Sequence, residues 1–108
     1  MGADRIYGTL DLLILSTLEG DPRHGLGIKR LIEESSNGRI NVEVGALYPA
    51  LRRLEGKGLV RAAWGTSDKG RRARLYRATE KGARHLEDER RRWADHVDAI
   101  QSVIQGAT

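Results

Sequence analysis

Residues 43 to 58, Glu43-Val44-Gly45-Ala46-Leu47-Tyr48-Pro49-Ala50-Leu51-Arg52-Arg53-Leu54-Glu55-Gly56-Lys57-Gly58, constrain the fold most, because they read as one short amphipathic helix closed by glycine. Val44, Leu47, Leu51 and Leu54 recur at spacings of three, four and three and form a single apolar stripe, with Ala46, Pro49, Ala50, Arg53 and Lys57 lying off it. One face is expected to pack while the other looks outward. That outward face is small near its start and basic near its end, which suits a helix lying close to an anionic surface such as a DNA groove. Pro49 loses the hydrogen bond to the Gly45 carbonyl, a defect that falls near the end of the first turn if the helix starts at Val44.

Two helices are expected upstream. The run Leu10 to Leu18, with Thr9 as a candidate cap, is apolar on more than one face, so this helix must be buried on two sides. A central core helix satisfies that requirement; so does a helix shared between the core and a dimer partner, which suits a small chain better. Gly20-Asp21-Pro22 ends it, and the residues up to Ile6 are expected to form a frayed or partner-held end. A second helix runs from about His24 to Ser35 on a stripe of Ile28, Leu31 and Ile32, with His24 as a surface or capping residue. Two helices, a short turn and a third helix make a helix-turn-helix with residues 44 to 57 as its recognition element.

Downstream, Leu59-Val60-Arg61-Ala62-Ala63-Trp64 and Ala73-Arg74-Leu75-Tyr76-Arg77-Ala78 read as two short strands around the polar loop from Gly65 to Arg72. Three cations near the tip, Lys69, Arg71 and Arg72, make the hairpin a basic finger, the wing of a winged helix. Such a finger can enter a minor groove or bind phosphates. A charged loop can also merely solubilise, but its position after a basic helix favours contact. Trp64 and Tyr76 are expected to pack. Between residues 43 and 78 nine Lys or Arg face three Asp or Glu, a surplus of six in a chain whose net charge is +4, so the remainder carries a deficit of two. A basic block in an otherwise mildly acidic chain is the footprint of a nucleic-acid surface, or else of a solvated charged face.

The segment Gly45-Ala46-Leu47-Tyr48-Pro49-Ala50-Leu51-Arg52-Arg53-Leu54-Glu55, then Lys57-Gly58-Leu59-Val60, then Arg74-Leu75-Tyr76-Arg77-Ala78-Thr79-Glu80-Lys81-Gly82 resembles the PadR family of bacterial transcriptional regulators. Gly8-Thr9-Leu10-Asp11-Leu12-Leu13-Ile14-Leu15 and His24-Gly25-Leu26-Gly27-Ile28 are similar to that family as well, so the resemblance covers nearly the whole chain. It departs at Ala46, where threonine is frequent, and at Ala78, where leucine is usual. The resemblance implies that Tyr48, with Arg52 and Arg53, lies against DNA. Together with the cations of helix and wing, the expected DNA-contacting set is Tyr48, Arg52, Arg53, Lys57, Lys69, Arg71, Arg72 and Arg74.

From Thr79, a capping residue, a long last helix is expected on the heptad-like seam Leu86, Trp93, Val97, Ile100 and Ile104. Reaching Ile104, it would be about 37 Å long, more than a small winged-helix body can cover. A chain of 108 residues buries only about 60–65% of its unfolded surface, so dimerisation would help. The resemblance implies that this helix pairs with the first helix of a second subunit, giving a dimer interface of Leu10, Leu13, Leu86, Trp93, Val97, Ile100 and Ile104. In multidrug-binding relatives a tryptophan on the last helix lines a pocket at that interface and stacks on planar ligands; Trp93 is similarly placed, and either lines such a pocket or only fills the seam.

The expected architecture is mostly α with a small β-hairpin wing: residues 1–78 a winged helix-turn-helix and residues 79–108 a dimerisation helix. The three histidines, His24, His85 and His96, are scattered, there is no cysteine, and no nucleophile turn or phosphate loop is present. No catalytic residue, metal site or cofactor is therefore expected, His85 with Asp88 or Glu89 being better explained as surface charge. No signal peptide or span is evident, so the protein is expected to be cytoplasmic. The function expected is a homodimeric DNA-binding regulator, a repressor at an inverted repeat, with a small-molecule effector at the dimer interface as a further expectation. The alternative is a winged-helix adaptor for protein partners, since fold alone does not fix function; cations converging from helix and wing favour DNA.

Overall fold

The computed structural model describes residues 2–106, with side chains from Thr9 onward. The side chains of the expected frayed end lie outside that range, but its backbone from Gly2 is helical. Helix α1 spans Gly2–Thr17, so Thr9 sits within it rather than capping it. No proline interrupts residues 2 to 8, and a threonine caps only where the chain before it leaves helical geometry.

A two-residue strand, β1 (Arg23–His24), leads into α2 (Gly25–Ser35), followed by α3 (Val44–Gly56), β2 (Val60–Thr66), β3 (Arg72–Ala78) and α4 (Glu80–Ile104). The helix expected from about His24 starts one residue later, and β1 is too short to show any alternation in the sequence. Arg23 pairs with Tyr76 and His24 with Leu75, giving an antiparallel sheet in the order β1-β3-β2. His24 also caps α2, its Nδ1 accepting the Gly27 N–H at 3.2 Å.

The core is α1 wrapped by the other elements. Ile14, Leu15 and Leu18 of α1 meet Ile28 and Ile32 of α2, Leu47, Ala50, Leu51 and Leu54 of α3, Tyr76 of β3 and Leu86 of α4 in one buried cluster. Helix α3 ends in a Schellman turn: Gly58, at φ +74°, donates to Glu55, and the Leu59 N–H reaches back to the Leu54 carbonyl at 2.9 Å. Leu54 and Leu59 are both buried beside that turn.

The start of α4 is built on the same turn. Thr79 accepts the Gly82 N–H at 3.0 Å, as a cap should, and donates its own hydroxyl to the Gly58 carbonyl at 2.6 Å. Gly82 lies flat against the Leu59 carbonyl oxygen, which a Cβ would overlap. A glycine in a first helical turn ordinarily costs little; here it is a packing requirement. Beyond Leu86 the helix is tied by Arg90 to Glu19, just past the end of α1, at 2.8 Å, but is otherwise little covered, with only Glu89 and Val97 of intermediate exposure among the remaining described residues.

Gly82→Ala is therefore expected to destabilise the fold by about 2–3 kcal/mol, since the clash is with backbone that cannot rotate away. Urea unfolding checks this, and an unchanged midpoint would show that α4 does not rest on Leu59.

Candidate nucleic-acid interface

Helix α3 is rotated slightly from its sequence expectation. The buried stripe is Leu47, Ala50, Leu51 and Leu54, whereas Val44 is 47% exposed. Both stripes satisfy a helical period; the structure selects the one whose small Ala50 lets α3 approach its neighbours. The outward face then presents Val44, Gly45, Pro49 and Arg52. Pro49 leaves the Gly45 carbonyl without its helical donor on this exposed face, where water can replace it.

Tyr48 is half-buried and packs against the core. Its ring lies over Gly25, where a Cβ would come within 2.6 Å of the phenol oxygen. Gly25 thus admits α3 to the start of α2, while the nearest neighbour of Gly27 is the capping His24 ring.

The cations divide into two groups. Arg53 is bonded through Nη2 to Asp11 Oδ1 of α1 at 2.7 Å, and Arg74 through Nη2 to Glu55 Oε2 of α3 at 3.1 Å. These two lash the recognition helix to the core and the hairpin to the recognition helix. Arg52, Lys57, Lys69, Arg71 and Arg72 are exposed and hold no ion pair among the described residues. Burial pushes the Tyr76 hydroxyl up, and Arg74, Glu55, Tyr48 and Arg52 all lie within its electrostatic reach, so the base of β3 sits beside the outward half of α3.

Two carboxylates fix the loops on either side. Glu33 takes a 2.5 Å bond from Lys29 Nζ and a 3.2 Å bond from the Val42 N–H, so the segment entering α3 is tied back to α2; the Lys29 bond leads in holding this carboxyl below its ordinary 4.5. In the wing turn, Asp68 faces His24 Nε2 at 3.4 Å and Arg30 Nη1 at 3.8 Å, and the His24 bond leads in holding it below 3.8. With Nδ1 accepting from Gly27, the ring proton on Nε2 points at Asp68.

Against the other side of α1 lies an open apolar groove of about 800 Å3, floored by Leu10, Leu12 and Leu13, closed by Ile40, Val42 and Ala46, and walled by Trp93 and Ile100 of α4. Trp93 is 46% exposed, with its ring centroid 6.0 Å from that of His96. Farther out, Ile104 is 75% exposed. Leu10 and Leu86, expected at a subunit interface, are already buried within this chain.

The family model described as the transcriptional regulator PadR-like family matches residues 14–88, well over half of the 108. The chain belongs to the PadR-like family. It is similar to a solved transcriptional regulator from Clostridium thermocellum, at 27% identity and a TM-score of 0.82 over 92% of this chain and 96% of that one. A PadR family transcriptional regulator from Eggerthella lenta is 28% identical with a TM-score of 0.79, over 98% and 90% of the two chains. An uncharacterized protein of Lysinibacillus sphaericus is 29% identical over 104 residues, 96% of this chain and 95% of its own length. The four helices and three-stranded sheet are the PadR winged-helix fold, and the protein is a transcriptional regulator. No helix among the described residues is long and apolar enough to cross a membrane, and no group of three metal-ligating side chains gathers there.

Within this PadR-like fold, Tyr48 and Arg52 sit on α3, Lys57 at its C-cap, and Lys69, Arg71 and Arg72 on or beside the wing turn, while Arg53 and Arg74 are engaged as struts. Sequence reasoning missed their partners Asp11 and Glu55, and missed Glu33 and Asp68, because each acts across a gap in the chain. Trp64, expected to pack, is 62% exposed; at that register the hairpin has already left the core that Tyr76 still touches.

Asp68→Asn is expected to raise hydrogen exchange across residues 66 to 72 at neutral pH while barely moving the thermal midpoint, because exposed pairs contribute orientation more than stability. The depressed carboxyl contributes above its ordinary 3.8 and loses that contribution as pH falls through its lower folded value, so the native wing should loosen only in that acid range. Equal exchange in variant and wild type at neutral pH would show that Asp68 does not hold the wing.

Proposed function

We propose that this PadR-like regulator acts as a homodimer that binds an inverted-repeat operator and represses transcription. The observation that carries this reading is the set of cations, unpaired among the described residues, at α3 and its C-cap and on the hairpin that Arg74–Glu55 pins beside it. Helix α3 would enter the major groove with its small face, Val44, Gly45 and Pro49, against the bases and Arg52 and Lys57 at the backbone, while Lys69, Arg71 and Arg72 reach flanking phosphates.

The dimeric part of the proposal rests on residues 79–108. Trp93, Val97, Ile100 and Ile104 form an apolar seam on a helix that the body does not cover, and Leu13 adds to it from α1. A second copy's α4 would close the groove, and a planar apolar effector held at Trp93 would act there. Two-fold symmetry would then place the two α3 helices in successive major grooves.

If each protomer neutralises three or four phosphates, log K should fall against log salt with a slope of about −5 to −7. Anisotropy titrations on duplex DNA measure it, and a slope near zero would contradict the reading. Arg52→Ala is expected to weaken all duplex binding about tenfold, the effect of one lost charge-assisted contact in each protomer, while leaving the dimer intact by sedimentation. Loss of the dimer instead would place Arg52 on the wrong surface.

A further inference from the structure

The exposed tryptophan of the wing has no packing role, yet it is not idle. In the β2–β3 register Ala62 faces Tyr76, Trp64 faces Arg74 and Thr66 faces Arg72, so these six side chains share one face of the hairpin. From the core outward that face alternates rings and cations. Arg74 Cζ lies 5.9 Å from the centre of the Tyr76 ring, and Arg72 Cζ lies 4.5 Å from the centre of the Trp64 ring. The diagonal Trp64–Arg72 contact is the reach expected of long side chains two residues out of register.

The two pairs differ in what the guanidinium has left to offer. Arg74 spends its charge on Glu55. Arg72 has no carboxylate partner among the described residues; its guanidinium carbon lies over the indole ring and the residue is exposed, so its donors are not spent on a carboxylate. Stacking restrains a long side chain without consuming its hydrogen bonds, so less entropy remains to be lost when those donors meet phosphate. The Arg74–Glu55 pair turns this hairpin face toward α3, so the ladder runs from the recognition helix toward the tip.

We propose that Trp64 is a positioning residue that holds the Arg72 guanidinium ready for the phosphodiester backbone of duplex DNA beside the site occupied by α3. The proposal rests on the DNA-binding reading above. It gives Trp64 a role that core packing does not supply, as it lies outside the buried cluster.

The test is a double-mutant cycle on the full chain with a mixed-sequence duplex, read as affinity against salt. Across the two wings of a dimer, Trp64→Ala should weaken binding about tenfold and Trp64→Phe, which keeps a ring, distinctly less. Arg72→Ala should weaken binding and flatten the salt slope by about 0.9 for each phosphate released. In the Arg72→Ala background, Trp64→Ala should cost nothing further. An undiminished cost there would mean that Trp64 touches DNA itself or shapes the hairpin, and would overturn the proposal, as would wild-type affinity in Trp64→Ala. Wild-type protein with no salt-dependent binding would instead overturn the DNA-binding reading, so the two failures are distinct.

Discussion

Burial of α1 is the constraint on which the rest depends. Ile14 and Leu15 have no exposure and Leu18 almost none, so the helix needs cover from several directions. Helices α2, α3 and α4 supply it, each packing against α1. Each leucine or isoleucine so covered contributes about 1.5–3 kcal/mol relative to exposure, which makes this one helix the main apolar resource of a small fold. Its remaining apolar edge, around Leu13, opens onto the groove beneath Trp93, so the same helix serves the core and the surface proposed for a second subunit.

On that base the charged residues divide the labour. Arg53–Asp11 fixes the recognition helix to α1, Arg74–Glu55 fixes the hairpin to the recognition helix, Glu33 anchors the segment entering α3, and Asp68 draws the wing turn toward α2. None of these partly exposed pairs is worth much stability. Their value is directional: they set where the unpaired cations sit. A basic surface assembled this way has its helix and hairpin fixed relative to each other in advance, although its exposed side chains remain to be ordered.

Much of this was legible in the sequence, and the parts that were not share a cause. The recognition helix, the hairpin and the long last helix were foreseeable because period, turn glycines and the Thr79 cap are local signals. So was the family, since Leu47-Tyr48-Pro49 and its surroundings form a contiguous motif. The face of α3 was misjudged by one column because Ala50 is too small to register as apolar, although its smallness is what the packing uses. Strand β1 was missed because two residues have no periodicity. Arg53 could not be seen as a strut, for its partner lies 42 residues away on α1. Trp64 was assigned to packing by its type, whereas the register of the hairpin carries it past the core.

If two copies of this winged helix read duplex DNA through α3, duplexes bound by the protein and selected from a random pool should carry its symmetry. The expected result is an inverted repeat whose half-sites lie about one helical turn apart. Enrichment without a consensus, or no enrichment, would contradict that reading.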